Sequence, residues 1–245
     1  GALFFQKHAE AASIPGIKLL DQQLDPGHAP LLEITSATAL LAAAQLNVIE
    51  FHTWNATARS IGKPDRMMFD LDPGEGVAWE QVQEAAELVR SFLKELGLAA
   101  FLKTSGGKGL HLLVPIRRGA DWETVKGFSQ AIVLHLAGVI PQRFVARSGP
   151  RNRVGKIFID YLRNGFGSTT VCAWSVRARP GMGVSVPVAW DELSQLRSGA
   201  HWGLADMDAR LAVGNLPWKG FDAAAGSLSR AMKTLGYKPG NAGRV

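Results

Sequence analysis

In residues 67–73, "MMFDLDP", Met67, Phe69 and Leu71 fall on one side of an extended chain and Asp70 and Asp72 on the other. At roughly 3.3 Å of rise per residue the two carboxylates stand about 7 Å apart on a single face. Such a strand needs a buried layer beneath it and a reason to hold two like charges above it. A divalent cation bound between them supplies that reason. Spacing alone is weak evidence, because Asp206 and Asp208 in "ADMDAR" repeat it in a short polar stretch where both can face water. A third carboxylate, Asp160, interrupts the apolar strand "KIFIDYL" in the same manner. If the two strands are neighbours, three acids make a cradle for two metal ions, the apparatus of phosphoryl or nucleotidyl transfer. The competing reading is a set of salt-bridged acids at strand ends. The metal reading fails if Asp160 lies far from the pair, or if its carboxylate is turned away and neutralised by a neighbouring arginine.

Helical and strand periods alternate along the rest of the chain, which places it in the α/β or α+β class. Its 245 residues suffice for one large domain or two intertwined lobes. Ser36 is an N-cap for a helix "ATALLAAAQL", followed by a strand "VIEFHTW" on which Glu50 and His52 share a face. Residues 79–97 carry apolar side chains at 79, 82, 85, 86, 89, 93 and 96, an amphipathic helix closed by Gly97. "AAFLKTS", the turn "GGKG" and "LHLLVPI" read as strand, sharp loop and strand. Asp121 starts the helix "DWETVKGFSQAIVLHLAGV"; "TTVCAWSV" is a further strand and "PVAWDELSQL" starts a short helix. Beyond Gly220 come the helix "SLSRAMKTLG" and a polar tail.

Cys172 is the single cysteine, so no internal disulfide and no cysteine zinc cluster can form, and a reducing, cytoplasmic setting follows. No apolar run reaches membrane-spanning length. A net charge of +6 permits a polyanionic partner, and the turn-rich "RFVARSGPRNRVGK" concentrates Arg143, Arg147, Arg151, Arg153 and Lys156 in one loop. The chain begins at Gly1 and reads straight into "ALFFQKH", as expected of a piece of a longer polypeptide.

The turn "KTSGGKGLHLLVP" lacks the layout of a P-loop, yet Ser105, Lys108 and His111 surround its glycines with donors suited to a triphosphate. An ordinary glycine hairpin with a packed histidine remains the alternative. "SVRARPG" sends Arg177 and Arg179 to one side of a strand, where they suit phosphate oxygens or simply face solvent.

Taken in order, "EFHTW", "PDRMMFDLDPG", "TSGGKGLHL", "KIFIDYLRN" and "SVRARPG" resemble the polymerase domain of bacterial ATP-dependent DNA ligase D. That domain belongs to the archaeo-eukaryotic primase superfamily and serves non-homologous end joining. The resemblance runs from "FFQK" to about "WDEL". It implies an α+β fold in which a mixed sheet like that of an RNA-recognition motif is flanked by helices and interleaved with a second α/β lobe. Residues 1–225 are the expected polymerase domain, and 226–245 a C-terminal helix and tail.

By the same resemblance Asp70, Asp72 and Asp160 bind two metals, Mn²⁺ or Mg²⁺. Ser105, Lys108, His111, His52, Arg177 and, more weakly, Arg179 line the site of the incoming nucleoside triphosphate. Phe4 and Phe5 meet the template strand by stacking, with core packing as the alternative. Arg153 lies in a segment near the primer terminus. The implied reaction is addition of ribo- or deoxyribonucleotides to DNA 3′ ends, templated or not. DNA ends, primer-template DNA, nucleoside triphosphates, the ligase module of the same polypeptide and Ku are the implied partners, in a bacterial, nucleoid-associated setting. Family members usually have several tens of residues before the "FF-K" motif, including lysines that grip a 5′-phosphate; Lys7 and Lys18 are not assigned that role by motif. The rival functions are a primase that starts chains de novo, a two-metal nuclease, and a non-catalytic DNA-end-binding module.

Overall fold

The computed structural model describes residues 4–10 and 14–240. Its elements in chain order are β1 (Lys18–Leu19), β2 (Leu32–Glu33), α1 (Ala37–Gln45), β3 (His52–Thr53), β4 (Arg66–Pro73), α2 (Trp79–Glu95), β5 (Phe101–Thr104) and β6 (Leu110–Pro115). Then follow α3 (Trp122–Val139), β7 (Phe144–Val145), β8 (Ile157–Asp160), β9 (Thr170–Val171), β10 (Pro187–Val188), α4 (Met207–Val213) and α5 (Leu228–Leu235).

Alternation over "RMMFDLDP", broken only by Met68, which is buried on the aspartate side, produces β4 with those bounds, and it becomes an inner strand of a sheet ordered β10-β5-β6-β4-β8-β7. The pairs are antiparallel except β7 with β8, which is parallel. The succession β4-α2-β5-β6-α3-β8, with β6 and β8 flanking β4, is the split βαββαβ arrangement of RNA-recognition-motif and ferredoxin-like cores. The α+β expectation is therefore met. Met67, Phe69 and Leu71 all point into the core formed with Val82, Val89 and Leu93 of α2 and Val125, Phe128 and Ile132 of α3. Burying each large aliphatic or aromatic side chain stabilises the fold by about 1.5–3 kcal/mol. This leaves the opposite sheet face free for polar side chains.

Local signals set the helix starts. Ser36 Oγ accepts from Ala39 N at 3.1 Å and Asp121 Oδ1 accepts from Thr124 N at 2.8 Å. Leu228 and Ala231 of α5 join the same core as α2 and α3. The tail expected after α5 ends in residues 241–245, which lie outside the described residues.

Three expected strands differ. "VIEFHTW" pairs only at His52–Thr53, and "TTVCAWSV" only at Thr170–Val171, because each has just the other as a neighbour. "SVRARPG" is not a strand. Trp174 adopts φ of 68°, and Arg179 N donates to the carbonyl of Arg177 at 2.8 Å, so the segment turns, with a single bridge from Val176 to Val184. "PVAWDELSQL" opens with strand residues Pro187–Val188 before a 3₁₀ helix at Trp190–Gln195. The small ladders β1-β2 and β3-β9 and helix α1 come from segments that interleave in sequence with the central sheet.

Candidate active site

The sheet's polar face carries a row of side chains in register: Lys103 on β5 opposes His111 on β6, His111 opposes Asp70 on β4, and Asp70 opposes Asp160 on β8. Directly opposed residues share a face, with Cβ atoms about 4.5–5.5 Å apart. Asp72 stands two residues along β4 on the same face as Asp70, so three carboxylates do occupy one surface. Asn164 fixes where β8 stops. Its side chain accepts from Met68 N and donates to Met68 O, both at 2.7 Å, and so replaces a strand partner just past Asp160.

Cations of the chain itself balance these acids. His111 Nε2 lies 3.4 Å from Asp70 Oδ1, Arg153 pairs with Asp72, and Arg163 Nε donates to Asp160 Oδ2 at 3.1 Å while Leu162 N donates to Oδ1 at 2.8 Å. The adjacency required of Asp160 is present, but an arginine does neutralise it. The repulsion between Asp70 and Asp72 is thus relieved here by side chains rather than requiring a metal. Among the described residues, the three carboxylates are not drawn tightly enough together to share one ion.

The titrations follow from this crowding. Burial pushes the Asp70 carboxyl up, but the charges of His111, Lys103 and Arg163 outweigh it and hold it below the usual carboxylate value. Asp72 is raised by burial and by the charge of Asp70, against Arg153 and Lys108. Asp160 is raised by burial, with Arg163 opposing. Lys103, 1% exposed, donates to Ser185 Oγ at 2.7 Å, and burial lowers it to about 7 despite the pull of Asp70. His111 is lowered by burial and by Lys103, and its Nδ1 is buried without a partner among the described residues.

The turn after β5 is pressed between two backbones. A Cβ on Gly106, which has φ of 67°, would lie 2.7 Å from Arg177 Cγ and 2.9 Å from the carbonyl of Gly183. One on Gly109 would lie 2.0 Å from the carbonyl of Leu71. Ser105 Oγ accepts from Gly107 N at 3.1 Å and Gly109 N at 3.2 Å, so this buried hydroxyl folds the turn, keeping only its proton to donate. Lys108 is exposed at the tip, close enough for its charge to act on Asp72. Arg177 and Arg179 reach one side although they leave no strand: a Cβ on Gly107 would lie 3.3 Å from Arg179 Nη1 and 4.0 Å from Arg177 Nη1.

Glu50 organises the far wall, a role the sequence did not disclose. Its carboxylate accepts from His52 Nε2 at 2.8 Å, Arg177 Nε at 3.1 Å and Ala178 N at 2.7 Å. His52 is held below its usual value by burial, against Glu50. Phe5 sets its ring edge on His52 at 5.1 Å, yet Phe4 and Phe5 are 81% and 76% exposed, which removes core packing as their explanation. Lys7 Nζ donates to the carbonyl of Gly167 at 2.6 Å, and Lys18 is exposed on β1. Arg153 sits against Asp72 rather than in a free basic loop, held by packing of its own carbonyl on Gly74, where a Cβ would come within 1.6 Å.

The family model of the LigD primase-polymerase domain matches residues 1–218. The multifunctional non-homologous end joining protein LigD of Pseudomonas aeruginosa is 54% identical over 235 residues, covering 95% of this chain and 28% of the relative. The corresponding DNA repair protein of Mycobacterium tuberculosis is 32% identical over 198 residues, covering 78% of this chain and 26% of its own length. The chain thus spans little more than a quarter of these curated relatives. Among solved structures, the polymerase domain from Mycobacterium tuberculosis ligase D in complex with DNA matches with a TM-score of 0.78 and 28% identity, over 91% of this chain and 80% of that one.

Proposed function

Because the chain belongs to the LigD primase-polymerase domain family, we propose that it is a nucleotidyltransferase that extends the 3′ end of a DNA primer with ribo- or deoxyribonucleotides during end joining. The observation that carries this reading is the row Asp160–Asp70–His111–Lys103 with Asp72 beside it, all on one sheet face beneath the glycine turn.

The donor set fits Mn²⁺ or Mg²⁺: three carboxylates, hard oxygen ligands, spread over two strands. That spread suits two ions better than a single one. Bound there, the ions would activate the attacking 3′-hydroxyl and stabilise the leaving pyrophosphate. Arg163 is 49% exposed, and in the other pair Asp72 is 35% and Arg153 21% exposed, so both ion pairs reach solvent, where such pairs are typically worth about 0–1 kcal/mol. They yield readily to a divalent cation.

The chain's own groups do the rest. Lys108, Arg177 and Arg179 surround the Gly107 backbone and hold the triphosphate, with the Ser105 hydroxyl proton as a further donor. His52, oriented by Glu50, and His111, with its unpartnered Nδ1, line the nucleotide site. Phe4 and Phe5 present exposed rings for stacking on a template base, and Arg153, once released from Asp72, faces the primer terminus. The substrates are DNA ends, primer-template DNA and nucleoside triphosphates. The ligase module of the same polypeptide and Ku are the proposed partners, in the bacterial cytoplasm. Among the described residues no helix is long and apolar enough to cross a membrane.

The test is extension of a labelled primer on a template with Mn²⁺ and a nucleoside triphosphate, beside an unprimed template. Loss of several kcal/mol of charge stabilisation in Asp70→Asn or Asp160→Asn predicts at least about a thousandfold slower extension. Undiminished extension by Asp70→Asn would remove the metal reading. Product only from unprimed template would favour the primase, shortening of the primer the nuclease, and tight end binding without extension the non-catalytic module.

A further inference from the structure

We propose that His8, Asp25 and His28 form a second metal site, of two-imidazole, one-carboxylate type, suited to zinc and sharing no residue with the aspartate-bearing sheet face. Among the described residues this is the trio of potential ligands whose coordinating atoms all lie within 4.8 Å of one another. His8 Nε2 is 2.7 Å from Asp25 Oδ2, and His28 Nδ1 is 3.2 Å from Asp25 Oδ1. Four ligand atoms around a zinc ion at about 2.0–2.2 Å stand roughly 3.3 Å apart. The His28 Nδ1–Asp25 Oδ1 edge is therefore already close to the coordinated separation, while His8 Nε2 lies nearer still to the other carboxylate oxygen.

The ligands stand on backbone that is held in place without the metal. His28 N donates to the carbonyl of Asp25 at 3.3 Å, closing the turn Asp25-Pro26-Gly27-His28, and Gln22 Nε2 donates to the carbonyl of His28 at 3.0 Å. On the other side, Ala9 N donates to Pro30 O at 3.1 Å and Leu32 N to Lys7 O at 3.0 Å, with a bridge from His8 to Leu31. These bonds bring the two imidazoles face to face, with centroids 5.0 Å apart and planes 16° from parallel, over a single carboxylate. Imidazole with carboxylate is a donor set for zinc and its neighbours in the transition series rather than for Mg²⁺. His28 is the most exposed member, which leaves a path for the ion and room for water as a fourth ligand.

The ion would clasp the 7–9 segment to the 21–28 loop. That segment continues back to Phe4 and Phe5, and Phe5 rests on His52. Occupancy would therefore order the aromatic pair beside the nucleotide site, a consequence that rests on the polymerase reading, whereas metal binding by the trio does not.

The test uses the full chain carrying Asp70→Asn and Asp72→Asn, so that the sheet face contributes little, freed of metal and titrated with Co²⁺ as a spectroscopic stand-in, then with Zn²⁺ in competition. We expect one cobalt ion per chain with visible ligand-field absorption, displaced by zinc. Added His8→Ala, Asp25→Ala or His28→Ala should weaken binding at least about tenfold, as loss of a metal ligand does. Gln22→Ala, outside the ligand set, should retain binding within that range. Absence of cobalt binding by the Asp70→Asn/Asp72→Asn protein overturns the proposal and leaves an ion-pair cluster. So does unchanged affinity in His28→Ala, whose side chain is 60% exposed and whose removal does not threaten the fold. Primer extension by the otherwise wild-type chain reports on the polymerase reading separately.

Discussion

Glu50→Ala should loosen the proposed nucleotide site from outside it. The wild-type carboxylate is 14% exposed and accepts three hydrogen bonds, from His52, Arg177 and the Ala178 amide. Hydrogen bonds to charged groups are worth about 1.5–3 kcal/mol each, and removing one partner of a buried ion pair costs about 3–5 kcal/mol. These terms overlap, since one removal accounts for both, so about 3 kcal/mol is expected. At about 2–4 °C per kcal/mol for a domain of this size, the melting temperature should fall by about 6–12 °C. Glu50→Gln keeps an acceptor and should lose about half as much. Thermal melts would measure this, and a double-mutant cycle with Arg177→Ala would isolate the pair. In parallel, nucleoside triphosphate affinity should weaken about tenfold or more, because His52 and Arg177 lose their common anchor. Burial raises the Glu50 carboxyl, but the bonds from His52, Ala178 and Arg177 outweigh it, so its folded value lies below the unfolded 4.5. Its stabilisation is full above that pH and is lost as pH falls through the lower folded value, and Glu50→Gln should flatten this acid limb. A Glu50→Ala protein that melts with the wild type and binds nucleotide equally well would refute the anchoring role.

Gly109→Ala places a methyl 2.0 Å from the Leu71 carbonyl, and the backbone must move beside Asp72; we expect about 2 kcal/mol or more of destabilisation in urea unfolding, with primer extension lost alongside. Lys103 has a folded value of about 7 against an ordinary 10.5, so the unfolded chain binds more protons between those values and this group's contribution to stability rises with pH across that window. Lys103→Met should flatten that rise, as read from denaturant unfolding at stepped pH; an unchanged slope would mean that Lys103 is not held near neutrality.

Several features were determined by local sequence. The bounds of β4, the helices over 79–95 and 122–139, and the caps Ser36 of α1 and Asp121 of α3 follow from alternation, the 3.6-residue period and side-chain oxygens meeting the first amides of a helix, all interactions within a few residues. That Asp70 and Asp72 share a face, and that Asp160 interrupts an apolar strand, was likewise legible. The family could be read because its motifs are contiguous words in fixed order.

Whatever depends on which strands become neighbours was decided by tertiary structure alone. Register places Asp160 opposite Asp70 and sets Lys103 and His111 in the same row, so a lysine that reads as an ordinary strand residue becomes a buried near-neutral amine. Arg163 and Arg153 neutralise acids that the sequence left to a metal, and Glu50 meets Arg177 across 127 residues. Trp174 with positive φ turns an expected strand into a loop, yet still delivers Arg177 and Arg179 to the glycine turn. His8 finds Asp25 and His28 only because β2 pairs the chain back on itself. The physical reason is common to all of these: charge interactions and close packing depend on distance through space, and a one-dimensional pattern reports only the part of that distance spanned by a turn of helix or a pleat of strand.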